Sequence, residues 1–251
     1  MRAAWTIAKR EIVSFFVSPL AYVVLAAWVV AMGFQFYLLS AFAASQPFGS
    51  GSATDTPLKH FFGGTTLFWL CVLVFVPLLT MRLLAEESRN GTLEPLLTAP
   101  VSELSVVLGK YAAAVAFWVS MFVPTLMYAW LTSRFGDVDP GALGATYLGV
   151  FGLGLSWMAV GLLMSAIARS PIVAALLTFV ALGGHFMLGL GQFIFTDDTS
   201  REVFGYFSVW THLDAFATGV VDSRYLTWDL SLTALALFLA VRALEARRYE
   251  S

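Results

Sequence analysis

The chain has 251 residues, 59% hydrophobic and only 12% charged, with a mean hydropathy of +0.80, a balance that excludes a soluble globular domain and leaves an integral membrane protein. Formal net charge is −2, so nucleic acid is not a bulk partner, and the single cysteine, Cys71, rules out an internal disulfide or a cysteine-built metal cluster. At this length the expected fold is all-α and polytopic, about six spans of roughly 20 residues in one transmembrane domain over residues 1–251.

Residues 1–18 carry a helical pattern of their own. At 100° per residue, Trp5, Ala8, Ile12, Phe15 and Phe16 share one face, Thr6, Arg10 and Ser14 oppose them, and Lys9 sits at the border. The pattern predicts an amphipathic helix lying in the membrane interface, with Ser18-Pro19 turning the chain into the first span. Lys9, Arg10 and Glu11 interrupt the N-terminus and the apolar run behind them is too long for a signal-peptide core, so the segment is expected to stay on the mature protein.

Apolar windows then predict spans at 20–42, 65–81, 105–133, 144–168, 172–195 and 228–244, the last being short. Six crossings put both termini on one side. Arg2, Lys9, Arg10, Arg82, Arg89, Lys110, Arg169, Arg242, Arg247 and Arg248 fall on that side, against Lys59, Arg134, Arg201 and Arg224 opposite. By the positive-inside rule both termini are cytoplasmic and the protein is a multi-pass protein of the inner membrane. The outer loop 43–59 is rich in Gly, Ser, Thr and Pro and shows no chemistry. Residues 196–227 are too short on apolar positions to cross, yet Phe204, Phe207, Leu213, Phe216 and Val220 recur at helical spacing, which predicts an outer-side helical hairpin before the last span.

The inner loop over residues 82–104 is the most informative segment. Glu86, Glu87, Ser88 and Arg89 extend the second span as a charged helix, and Asn90-Gly91 stops it. Thr92 can then cap a short new helix, in which Glu94 follows the cap, Pro95 is tolerated in the first turn and Leu93, Leu96 and Leu97 form an apolar face. Ala99-Pro100 ends it, and Ser102 can cap the third span, with Glu103 at its positive end. A short two-sided helix between two spans suits seating in a groove of a cytosolic protein and passing that protein's movement to both spans.

The residues Pro77–Leu84, Ala85-Glu86-Glu87, Asn90–Ser102 and Leu108-Gly109-Lys110, read in order, resemble the permease subunits of type-2 ABC exporters, in the branch with gliding-motility and copper-processing permeases. Residues 211–216 and 219–224 resemble the family's outer segment before the last span, and residues 244–249 its usual ending. Asn90 and Pro95 depart mildly from the family's commonest residues without disturbing the spacing. The resemblance implies a half-transporter that pairs with a second permease, an identical copy or a paralogue, and with two copies of a cytosolic ATPase. Glu86, Glu87, Arg89, Gly91, Thr92, Leu93, Glu94, Leu96 and Leu97 become ATPase-coupling residues, and the N-terminal helix becomes the connecting helix. The chain has no phosphate-binding loop, since Gly109-Lys110 is followed by Tyr111; it is not itself an enzyme, needs no cofactor of its own, and ATP and Mg sit on the partner. The same machinery could move a substrate or transmit force to an extracytoplasmic auxiliary protein, and the sequence leaves both open.

Polar residues inside the spans supply the remaining candidates. Gln35, His185 and Gln192 are candidates for a translocation path, against interhelical hydrogen bonding as the plainer role. Ser156 and His185 admit an alternative, an intramembrane serine hydrolase, but Trp157 stands where such a motif wants glycine. Gly152/Ser156 and Gly161/Ser165 are spaced for close helix packing. In the outer segment His212, Asp214 and Asp222 are candidate functional residues, and two ligands are too few to predict a metal. Trp69, Trp130, Trp210 and Trp228 read as interfacial anchors.

Overall fold

The protein's computed structural model describes residues 2–45, 60–62, 64–92, 101–134 and 138–250, and among them every regular element is a helix. Six stretches are long and apolar enough to cross a bilayer: Pro19–Ser45, Thr66–Asn90, Glu103–Thr132, Pro140–Ile167, Pro171–Ile194 and Ser223–Arg248. The all-α, six-span expectation is met.

Local chemistry sets where each helix starts and stops. Helix α1 (Arg2–Val17) meets α2 (Pro19–Ser45) at Ser18, because Pro19 lacks the amide that would continue the ladder. The second span is two pieces, α3 (Thr66–Thr80) and α4 (Ala85–Asn90), with a turn over residues 81–84. The third, expected to be continuous, is also two, α5 (Glu103–Phe122) and α6 (Leu126–Thr132), and Pro124 lies in the break. Helix α7 (Pro140–Ile167) begins a turn before its apolar window: the Asp139 carboxylate accepts the Gly141 N–H at 2.8 Å and Pro140 takes the first turn. Helix α8 (Pro171–Leu188) starts likewise from Ser170 and is followed by the single turn α9 (Gly191–Ile194).

The outer segment folds as α10 (Asp198–Phe207) and α11 (Val209–Ala217), capped by Asp197 and Ser208. Its expected apolar face ends early, since Val220 lies beyond α11 and is 58% exposed. Last comes α12 (Ser223–Glu250), 28 residues long. The window 228–244 undershot it because the helix runs on through charges, with Arg242 Nη1 donating to Glu245 Oε2 at 2.6 Å.

The windows of the second, third and fourth spans are 61%, 56% and 67% buried, against 22%, 28% and 22% for the first, fifth and sixth. Helices α3, α5 and α7 therefore form the centre, while α2, α8 and α12 turn Val30, Phe34, Ile172, Val180 and Phe238 outward. Lipid is as apolar as these side chains, so association rests on fit and polar ties more than on hydrophobic driving force. Rings supply the fit: Trp28, Trp118 and Phe122 cluster with centroids 4.8–6.3 Å apart, and Trp69 packs on Phe186 and Trp210. Trp69 is thus a core residue, 1% exposed, and not an interfacial anchor. Glycines make room, since a Cβ at Gly154 would lie 2.0 Å from Trp118 Nε1 and one at Gly161 2.3 Å from Thr80 Oγ1.

Helix α1 lies across α5 at Gly109, where a Cβ would meet Ala4 O at 2.9 Å and Ile7 Cγ2 at 2.8 Å. Ala8 is buried there, and the rings of Phe15 and Phe16 sit 5.5 and 5.6 Å from Phe117. Trp5, assigned by periodicity to the same face, is 70% exposed. The periodicity finds the apolar stripe, but the docking surface on α5 selects which part of it is covered.

Candidate functional site

Charged residues collect where α1, α4, the first turns of α5 and the end of α12 meet. Close approach at Gly109 brings the next residue, Lys110, beneath α1. Its side chain is 2% exposed, and Nζ donates to Glu87 Oε1 at 2.8 Å and to Glu11 Oε1 at 3.2 Å. Arg10 adds a second cation, 3.0 Å from Glu11 and 3.9 Å from Glu87. A buried ammonium costs several kcal/mol unless matched by charge and hydrogen bonds; here two carboxylates from two different helices match it.

The turn between α3 and α4 is held by one hydroxyl. Ser165 Oγ, from α7, accepts the N–H groups of Leu84 and Ala85, each at 3.0 Å, and donates to Met81 O at 3.3 Å. It satisfies amides that the interrupted ladder frees. At its far end α4 closes on Gly91, whose φ of 69° is left-handed, with Thr92 N–H reaching back to Glu87 O at 3.0 Å. Thr92 Oγ1 also donates back to Glu87 O, at 3.4 Å; the helix it was expected to cap lies outside the described residues. Ser88 Oγ accepts from Arg247 Nη1 at 2.9 Å, and Arg247 Nη2 donates to Ile167 O and Ala168 O at 2.7 and 2.9 Å, covering carbonyls left open at the end of α7. Arg248 Nη1 bonds Glu103 Oε1 at 2.7 Å. Ser102 caps α5 as expected, accepting from Ser105 N–H.

Of the predicted coupling residues, Glu87 is drawn into this knot, whereas Arg89 is exposed and Glu86 stands 3.9 Å from Arg82. Gly91 and Thr92 close α4. Leu93, Glu94, Leu96 and Leu97, the predicted coupling helix, lie outside the described residues.

The other candidates separate into local ties. Gln35 Nε2 donates to Phe61 O. Gln192 joins α9 to α11, donating to Ser208 Oγ at 3.0 Å and accepting from Thr211 Oγ1 at 3.1 Å. His185 Nδ1 accepts from Trp157 Nε1 at 3.2 Å, and its Nε2 is buried. The Ser156–His185 pair is not brought together: the Ser156 hydroxyl is hydrogen-bonded to Leu153 O at 2.9 Å and to Asp229 Oδ1 at 3.1 Å. His212 is buried, bonded through Nε2 to Tyr206 O at 2.8 Å and stacked on Tyr225; burial holds its imidazole below the ordinary range. Asp214 is exposed and shares with Gln192 the wall of a hollow of about 320 Å3. Asp222 accepts the Arg224 N–H at the start of α12, and that bond, helped by the Arg224 side chain, lowers its carboxyl pKa. Among the described residues no three metal-ligating side chains gather.

Sequence reasoning missed Lys110, Glu11, Arg247 and Asp229 as structural actors, and read Ser165 for helix packing without the hydrogen bonds of its hydroxyl. Lys110 and Asp229 carried a usable signal, each a lone charge inside an apolar run, where ionisable groups call for a partner. The hydrogen bonds of Ser165 and Arg247 carried none, because their partners lie between 79 and 159 residues away in sequence.

No curated protein matches the chain. Residues 12–196 match the family described as ABC-2 family transporter protein, a stretch holding five of the six spans together with α4 and Lys110. With that match over most of its length and six bilayer-length apolar helices, the chain is a multi-pass membrane protein that belongs to the ABC-2 transporter family, the permease subunits of ABC transporters.

Proposed function

We propose that this chain couples ATP hydrolysis on a separate cytosolic ATPase to movement of its own spans, as the permease half of an exporter. The observation that carries the reading is the anchoring of α4: ties from Glu87, Ser88 and the turn before it reach α1, α5, α7 and α12. A push delivered to the loop between α4 and α5 therefore has rigid paths into the bundle at both ends. The partner seats against residues 91–98, with Leu93, Leu96 and Leu97 in its groove and Glu86 and Arg89 at the rim; ATP and Mg bind there, on the partner. Two ATPase copies and a second permease, identical or paralogous, complete the assembly, with both termini in the cytoplasm and the bundle in the inner membrane. Gln35, His185 and Gln192 are the candidate path residues, although each is already engaged by a neighbour. An extracytoplasmic auxiliary protein would meet α10 and α11, near His212, Asp214 and Asp222.

The test is purification of the tagged chain from its native operon in mild detergent. A P-loop ATPase is expected to come with it, and Leu93→Arg or Leu96→Arg to release that ATPase. A chain that purifies alone, or an ATPase retained by both variants, overturns the coupling assignment.

A further inference from the structure

Beside α4 a crevice of about 120 Å3 opens between α1, α2 and the end of α3. Phe15, Val24, Leu79 and Phe117 make its apolar lining. Glu11, Arg82 and Glu86 supply its charge. These charges leave one another incompletely matched. Arg82 Nε is 3.9 Å from Glu86 Oε2, beyond hydrogen-bond range, with both side chains nearly half exposed, and the hydrogen bonds of Glu11 to Lys110 and Arg10 both fall on Oε1.

An open guanidinium and an under-matched carboxylate one helical turn apart, beside a greasy slot, complement a molecule that carries an anion and a cation close together at the head of an apolar tail. We propose that this crevice binds a zwitterionic phospholipid with a primary ammonium headgroup, of the phosphatidylethanolamine type. Arg82 takes the phosphate, because its forked donors match phosphate oxygens. Glu86 and Glu11 take the ammonium, which offers three N–H donors that a trimethylammonium head lacks. The first methylenes lie against Val24 and Leu79. A lipid so placed touches α1, α2 and the turn before α4 together, and its residence holds the base of α4 in one setting. The binding itself does not depend on the ATPase reading, and its test uses no ATPase.

The full chain in mild non-ionic detergent is titrated by native mass spectrometry with phosphatidylethanolamine, phosphatidylcholine and phosphatidylglycerol of one acyl composition, and with glycerophosphoethanolamine as the free head. Phosphatidylethanolamine is expected to bind about tenfold tighter than the other two lipids, the worth of one charge-assisted hydrogen bond, and the free head not to bind. Glu86→Gln is expected to bring the ethanolamine-to-choline ratio close to one. Ala21 of α2 also lines the crevice, and Ala21→Leu, which crowds the slot, is expected to weaken phosphatidylethanolamine about tenfold. Equal binding of the ethanolamine and choline lipids, or tightest binding of phosphatidylglycerol, overturns the headgroup assignment. Binding of the free head as tightly as the lipid overturns the lipid in favour of a soluble zwitterion. Survival of the preference in Glu86→Gln, an exposed change that does not threaten folding, overturns the site.

Discussion

Replacing Lys110 by Met keeps the length of the side chain and removes its charge. At about 3 Å each ammonium–carboxylate contact is worth roughly 5 kcal/mol of Coulomb attraction at an effective dielectric of 20, and desolvating the three charged groups offsets most of it. The intact cluster is therefore close to neutral for stability, but a half-cluster is not. Loss of one partner from a buried ion pair costs about 3–5 kcal/mol. Two facts reduce that here: Glu11 and Glu87 keep 16% and 19% exposure, and Arg10 remains 3.0 and 3.9 Å away although it is 63% exposed. We expect Lys110→Met to destabilise the chain by about 2–3 kcal/mol. The triple variant Lys110→Met/Glu11→Gln/Glu87→Gln, with no stranded charge, should return to within about 1 kcal/mol of the parent. Reversible unfolding in mixed micelles reads both. A Lys110→Met loss below about 0.5 kcal/mol, or a triple variant no better than the single, would refute the account of the knot.

Three further outcomes follow from other contacts. Ser165→Ala strands the amides of Leu84 and Ala85 and should cost about 1–3 kcal/mol, with hydrogen exchange accelerated at those two amides first; unchanged exchange there would sink the hydroxyl's assigned role. Gly109→Ala drives a methyl into α1, whereas Gly184→Ala meets nothing within 4 Å. The first should lose about 1–3 kcal/mol together with cysteine cross-linking between α1 and α5, the second should stay within about 0.5 kcal/mol, and equal effects would contradict the close crossing. Burial lowers the pKa of His212 against an ordinary value near 6.5, with the hydrogen bond to the Tyr206 carbonyl and then the charge of Asp222 acting in the opposite sense. The unfolded chain therefore takes up the proton first, and stability contributed by neutral His212 is present above about pH 6.5 and lost as pH falls toward the depressed folded pKa. His212→Gln should flatten that part of the pH–stability curve, and an unchanged slope would place its cause elsewhere.

Span number and helix class were legible because they depend on apolar run length, which a single sequence displays. Breaks were less so. Pro124 should have divided the third span, yet proline is often carried through membrane helices when neighbours re-satisfy the backbone. The turn over residues 81–84 has no proline or glycine, and its hydroxyl support comes from Ser165, two spans later. Periodicity found the face of α1 that holds Ala8, Phe15 and Phe16, but not that Trp5 on the same stripe would lie outside the contact with α5, because periodicity counts apolar residues and not the width of the groove that receives them. The charged extension Glu86–Arg89 was visible as local contrast; its division into an anchored Glu87 and outward Arg89 depended on Lys110 and on the small Gly109 beside it.

Arg247 and Arg248 give the C-terminal end of α12 a role separate from crossing the bilayer. Deleting residues 247–251 leaves all six apolar stretches able to insert, yet removes the ties to Ser88, to the end of α7 and to Glu103. Insertion of the last span and anchoring of α4 therefore rest on different parts of α12. For reporter fusions the same arrangement favours the N-terminal side of α1, since a bulky partner joined directly after α12 would load the clamp that steadies α4.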